Sequence, residues 1–204
     1  MLPPLVDAGA DDLRSDDRYD ALQLTDLDLS GLDLARVTFA ECAFDRVALH
    51  ETELRGAHLV ECRLTQVDAA AFDVARSSWR STVLERSRLG AMETYESTWR
   101  SLLVSDSKLG YLNARASRWQ DVTLRGCTID ELDLTGATLT RVALPDCRIG
   151  TLRAAGATLT DVDLRQTRLE VVDGLAGLKG AWVSEQQLSE LAPLLADHLG
   201  IRVG

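Results

Sequence analysis

SSWRS (77–81), STWRS (97–101) and SRWQD (117–121) set three of the four tryptophans twenty residues apart, each with serine two positions before the indole. The same interval separates Cys42 from Cys62 and Cys127 from Cys147. Working outward, the residue numbers ending in 4 or 9 from Leu24 to Leu169 form a set of thirty, of which twenty-six are large and apolar. The exceptions are Ala69, Thr94, Ala114 and Ala154. Positions two earlier are apolar or small throughout, with Phe72 and Met92 the bulkiest. The frame never slips.

A period of five fits no helix, because steps of 100° spread such positions around the cylinder. It fits no single long strand either, because five is odd and the apolar position would change face at each repeat. Within each five, the two apolar positions stand two apart and share a face when extended. A short extended side followed by a bend satisfies both conditions. The twenty-residue spacings of Trp and Cys close the coil at four sides. The chain is therefore expected to be an all-β solenoid, with residues twenty apart stacked ~4.8 Å from one another. Thirty repeats over 22–171 make seven and a half coils. Each coil touches only its neighbours, so both ends need caps.

Volume is conserved within the coils. Trp79 shares its layer with Leu64, Ala69 and Val74, Trp99 with Leu84, Leu89 and Thr94, and Trp119 with Val104, Leu109 and Ala114. Three of the four undersized central residues thus lie beside an indole, as a close-packed core demands. Phe72, Met92 and Leu112 refill what Val74, Thr94 and Ala114 leave empty. Ser77, Ser97 and Ser117 are placed to accept the indole N–H groups, which buried tryptophans require. Ala154 has no such explanation. The tryptophan stripe reads as core rather than as a ligand platform.

The repeats LDLSG (27–31), LDLAR (32–36), TELRG (52–56), LDLTG (132–136) and VDLRQ (162–166) resemble the pentapeptide-repeat family over about three-quarters of the chain. That resemblance implies a right-handed quadrilateral β-helix, in agreement with the coil derived above. It also implies a short C-terminal α-helical cap through which members dimerise. Within the family the chain is similar to the Qnr and MfpA-type rods, and with no projecting loops it is nearer the MfpA type. Those bacterial rods imitate DNA and bind DNA gyrase or topoisomerase IV, inhibiting the enzyme or protecting it from quinolones.

Three segments follow: an acidic N-terminal leader or cap (1–21), the repeat β-helix (22–171) and a C-terminal helical cap and dimerisation segment (172–204). The leader holds six Asp against two Arg, and order is expected from about Arg18. Beyond 171 the frame is lost. Ser184 and Gln187 form a capping box that opens a helix. Leu188, Leu191, Leu195 and Leu199 are expected on one face of it, as a homodimer interface, a lid on the last coil, or both. Pro193 should kink the helix and Gly200 end it.

At 204 residues and 46% apolar the chain suits one domain. A net charge of −10 opposes nucleic acid or an anionic membrane as direct partner. It leaves open a basic protein surface, such as the DNA-binding face of a nucleic-acid enzyme. No apolar run is long enough to span a bilayer, and the N-terminus lacks the pattern of a signal peptide. A cytoplasmic location with reduced cysteines is expected. The cysteine spacing suits no ordinary zinc site and reads as core, with a disulfide or metal as the other possibility. His50, His58 and His198 are dispersed, and no phosphate loop or serine–histidine pair stands out. No enzyme, cofactor, metal or small-molecule substrate is expected.

The surface remains. At the edge joining the second and third sides of the first three coils lie Asp28 and Asp33, Glu51 and Glu53, then Asp68 and Asp73. The next edge carries Arg36, Arg55 and Arg76. This is either a solvated rod with alternating charged stripes or an acidic ladder that imitates a phosphate backbone. The corresponding functions are a topoisomerase-binding DNA mimic and a dimeric scaffold for some other protein. The outward residues of the tryptophan repeats, Arg80 and Arg100, mark that side as not the acidic one.

Overall fold

The computed structural model describes residues 4–202; residues 1–3 of the leader and 203–204 of the tail lie outside it. The chain is a parallel β-solenoid of about nine turns with one C-terminal helix. Register is constant along the rod: Leu59, Trp79, Trp99, Trp119 and Leu139 pair in succession, each twenty residues from the last. Sides one to four are centred on Leu24, Leu29, Leu34 and Phe39 of the first coil, and coil one spans 22–41.

Most corners turn through a residue in the left-handed region. Among the described residues, twenty that are not glycine have φ between 49° and 60°, including Arg36, Glu41, Arg46 and Glu61. A side chain there costs about 1–2 kcal/mol in a left-handed helix. The turns are held by corner amides that donate to a carbonyl in the next coil, as in Arg36 N–H to Arg55 O at 2.9 Å and Glu41 N–H to Val60 O at 2.8 Å.

One edge departs from this rule. Between sides two and three, Gly31 and Glu51 are left-handed, but from the third coil onward the chain runs extended through the bend in strands such as Asp68–Asp73 and Arg88–Glu93. The backbones stack tightly there. A Cβ on Gly110 would lie 2.3 Å from the carbonyl oxygen of Gly90, and one on Gly90 2.4 Å from that of Ala70.

The interior follows the frame derived from sequence. Trp79, Trp99, Trp119, Phe39 and Phe72 are fully buried. Small polar residues two positions before the centres bond between coils: Thr52, Thr82 and Thr167 hydroxyls donate to the carbonyls of Leu29, Leu59 and Leu144. The four buried cysteines are free and make the same kind of contact, Cys62 to Phe39 O and Cys147 to Leu124 O at 3.3 Å.

The expected serine–indole bonds form once, not three times. Trp79 Nε1 donates to Ser77 Oγ at 2.8 Å, but Trp99 and Trp119 Nε1 have no partner. Their rings stack with centroids 4.5 Å apart and planes 6° from parallel. Ser97 and Ser117 hydroxyls turn instead to the carbonyls of Val74 and Ala114, at 3.0 and 2.6 Å.

Order also begins earlier than Arg18. Val6–Asp7 pairs with Leu22–Gln23, Leu13 is buried, and Tyr19 stacks on Phe39 at 5.5 Å, so the leader forms an added coil. At the other end a 3-10 turn, Leu175–Leu178, folds over the last coil. This accounts for Ala154: Gly177 lies so close that a Cβ on it would meet Ala154 O at 1.7 Å, and Leu178 shares the space beside Ala154 with Leu159. Helix α1 (Glu185–His198) opens on the expected Ser184–Gln187 capping box and runs through Pro193 without a break, with Leu199 as its C-cap.

Candidate functional site

Every repeat turns inward at two positions, leaving the residues before and after each centre, and the corner, to form the surface. The structure resolves the six candidate acids into three columns. Asp33, Glu53 and Asp73 stack directly on side three. Asp28 and Asp68 stand on side two with Ala48 between them. Glu51 occupies the corner.

The side-three column continues beyond the residues found from sequence. Glu93 follows Asp73, then Asn113 and Asp133, and the run ends in Arg153 and Asp173. The signal was available in positions 33, 53, 73 and onward, taken twenty apart.

Much of this acid has a local task. Asp33 Oδ1 accepts the Ala35 amide at 2.9 Å, Asp73 that of Ala75 at 3.0 Å, and Asp133 that of Thr135 at 2.9 Å. Asp28 does the same for Ser30, and bonds from the Ser30 side chain and amide hold its carboxyl below the usual range. Such Asx turns favour aspartate at bends whatever the protein binds. Asp73 is also paired with Arg55. Asp68 faces His50 at 3.9 Å, whose Nδ1 accepts the Ala70 amide, placing any neutral-ring proton on Nε2. Glu51 and Glu53 are exposed and have no ion pair among the described residues.

Charge is segregated along the rod. Residues 1–75 contain sixteen Asp and Glu against six Arg, whereas residues 76–204 contain sixteen of each sign. The whole net charge of −10 thus belongs to the leader and the first coils. Arg36, Arg46, Arg55 and Arg63 there are all ion-paired, mostly to the adjacent coil. In the later coils Arg80, Arg88, Arg100, Arg118, Arg125 and Arg168 have no ion pair among the described residues.

At the C-terminal end, Gln187 Nε2 donates to the carbonyls of Leu164 and Thr167, both at 2.7 Å, and so satisfies the open end of the solenoid. The capping task falls to Gln187 and Leu178. Helix α1 buries no residue. Of the four expected leucines, Leu191 and Leu195 are half-buried, while Leu188 is 52% and Leu199 69% exposed. Leu194, outside that set, is 46% exposed. A groove of about 860 Å³ separates the helix from the last coil, with Leu169, Val172, Leu191 and Leu194 on its walls. Among the described residues no three His, Cys, Asp or Glu side chains gather to hold a metal, and no helix is long and apolar enough to cross a membrane.

A sequence profile of pentapeptide repeats matches residues 28–66 in eight copies, and the structure carries the same five-residue frame through the later coils. Residues 28–66 are pentapeptide repeats of that family. No curated protein matches it. Among solved structures, this pentapeptide-repeat protein is similar to a trypsin-treated variant of QnrB1, a plasmid-mediated fluoroquinolone resistance protein. The identity is 18%, with 98% of this chain and 99% of that chain covered and a TM-score of 0.40. Full-length QnrB1 is 16% identical over 93% of this chain and 94% of that one, with a TM-score of 0.38. HetL, a pentapeptide-repeat protein involved in heterocyst differentiation regulation in Nostoc sp. strain PCC 7120, is 17% identical over 86% and 94%, with a TM-score of 0.31. Likeness at this level transfers no residue role to the pentapeptide rod described here.

Proposed function

We propose that the protein is a non-enzymatic binding rod that pairs with itself through its C-terminal segment and docks a basic protein surface against its first three coils. The observation that carries this reading is the confinement of the entire net charge of −10 to residues 1–75. Charge held on a rigid face steers and orients a partner of opposite sign. The partner class is a protein with a DNA-binding surface, and the family resemblance makes DNA gyrase or topoisomerase IV the specific candidate. The rod would act there by occupying the place of DNA.

Glu51, Glu53 and Asp68 are the carboxylates to reverse, since none of them accepts a backbone amide at a turn. A supercoiling assay with gyrase tests the reading: inhibition by wild-type rod, weakened when these three become lysine, is the expected result. If micromolar rod leaves supercoiling and quinolone-induced cleavage untouched, the topoisomerase assignment fails.

The other reading is a scaffold with no topoisomerase role. It is favoured by the neutral later coils, because a phosphate backbone is charged along its whole length. Retained binding to a different basic protein, with gyrase unaffected, would decide for it. Self-pairing rests on the apolar residues left exposed on and beside helix α1: Leu188, Leu194, Leu199 and Ile201. In about 0.5 M salt, which screens exposed ion pairs, light scattering should give twice the chain mass, falling to one on Leu188→Asp with Leu194→Asp.

A further inference from the structure

The edge where side four of one coil passes into side one of the next carries a charge order of its own. On four successive rungs it presents Glu41, Glu61, Arg80 and Arg100, all exposed. The rungs are in strict register: Ala40 pairs with Val60, Val60 with Arg80, and Arg80 with Arg100. The corner amides bond from coil to coil, Glu61 N–H to Arg80 O at 2.8 Å and Ser81 N–H to Arg100 O at 3.0 Å.

None of the four side chains has an ion pair among the described residues, although Glu61 and Arg80 are neighbours. Elsewhere pairing between coils is common, as with Asp16–Arg36, Asp26–Arg46, Arg76–Glu96 and Asp121–Arg141. Here two acids are stacked, then two arginines. Like charges directly opposite one another on a sheet are destabilising. The rungs on either side are already neutralised, Asp20 by Arg18 and Asp121 by Arg141, so the pattern closes at four.

The order acid, acid, base, base is its own complement when reversed. We propose that two copies of the chain lie antiparallel along this edge, with a two-fold axis between Glu61 and Arg80. Glu61 then meets Arg80 of the second copy and Glu41 meets its Arg100, and the same two contacts recur by symmetry. This is an isologous contact, in which one patch serves both partners. Both rods share one rung spacing of ~4.8 Å, so bringing one pair into register aligns all four. Half-buried Val60, Val83 and Leu103 border the edge and supply apolar area beside the charges. Exposed ion pairs are individually weak and screened by salt. The association is accordingly a weak, salt-sensitive step, separate from the apolar contact at helix α1.

A charge-swap experiment on the full chain tests it. Sedimentation velocity is run on wild type, on Arg80→Glu with Arg100→Glu, on Glu41→Arg with Glu61→Arg, and on an equal mixture of the two variants. Circular dichroism checks that each is folded. Wild type should show a mass-doubling step that weakens at least tenfold between about 0.1 and 0.5 M salt. Each variant alone should lose that step, and the mixture should regain it. Leu188→Asp with Leu194→Asp should leave it in place. The absence of a salt-sensitive step in wild type overturns the proposal, as does a mixture of folded variants that fails to associate. A step that persists in both single variants assigns the contact to another surface and overturns it equally.

Discussion

Replacing Trp79 and Trp119 in turn by phenylalanine compares two indoles that share a column and differ in one hydrogen bond. Both rings are 1% exposed, so each substitution removes the same atoms from an equivalent setting and leaves a similar cavity. That common cost cancels in the comparison. Trp79→Phe also loses the bond to Ser77 Oγ at 2.8 Å, a net loss of about 1 kcal/mol. Trp119→Phe removes a buried N–H that has no partner, relieving a penalty of about 1–3 kcal/mol. Trp119→Phe should therefore be the more stable variant by about 2–4 kcal/mol. The phenyl ring can keep the parallel contact with Trp99, for which such stacks give about 0.5–1.5 kcal/mol. Urea unfolding followed by far-UV circular dichroism measures the difference as a shift in midpoint at matched slope. Equal destabilisation of the two variants would refute the assignment of the unpaired donor. Ser77→Ala is the control, and should bring the Trp79 site to the orphaned condition of Trp119.

Gly110→Ala should lower the melting temperature by more than Gly31→Ala, since its Cβ meets Gly90 O at 2.3 Å while Gly31 has open space and only its φ of 71° to object. Ala154→Leu should push the Leu175–Leu178 turn off the end of the rod at a cost of about 1–3 kcal/mol, read from thermal melts. Asp33→Asn keeps an oxygen for the Ala35 amide, as Asn113 shows for Arg115 in the same column, and should match wild type in stability. Asp33→Ala should lose about 1 kcal/mol. Hydrogen bonds from Arg36, Arg46 and Arg141 hold Asp16, Asp26 and Asp121 below the usual carboxylate range. Their contribution is present above an unfolded value near pH 3.9 and is lost as pH falls through the depressed folded values. Melting temperature should consequently change little on this account from pH 7 to 5. The triple variant Arg36→Gln, Arg46→Gln, Arg141→Gln should flatten the further acid loss below pH 4.

The coil was legible because its cause is periodic: a centre every five residues must be apolar to be buried, and it repeats thirty times. Side-chain orientation was less legible. Serine two positions before tryptophan makes room for the indole in all three layers, yet stacking of Trp99 on Trp119 competes with the hydrogen bond at comparable energy. Ala154 could not be understood within the frame, because the residue that uses its space, Leu178, comes from beyond the last repeat. The edge between sides two and three changes conformation at the third coil, and its marker is sparse: Gly90, Gly110 and Gly150 stand out only when the backbone contact above them is known. On the candidate acidic edge, Asp28, Asp33 and Asp73 were found as charges, but their service as turn acceptors depends on side-chain rotamers that spacing does not determine.

That division bears on how the surface should be interpreted. In a rod whose backbone largely repeats every twenty residues, sites differ chiefly through outward side chains. An aspartate one residue before a centre has a structural reason to be present, because it caps the amide two residues on. A glutamate at the corner has none of comparable strength, and neither does an arginine with no carboxylate in reach. Counting carboxylates therefore overstates the acidic edge, and the informative charges are the unpaired ones. Glu41, Glu51, Glu53 and Glu61 lie in the first coils, whereas Arg80, Arg88 and Arg100 lie just beyond them. The unpaired charges of this rod change sign between its second coil and its third, so any imitation of DNA is confined to the first coils. The rod's polarity fits a partner, or a second copy, that must be held in one direction along the axis.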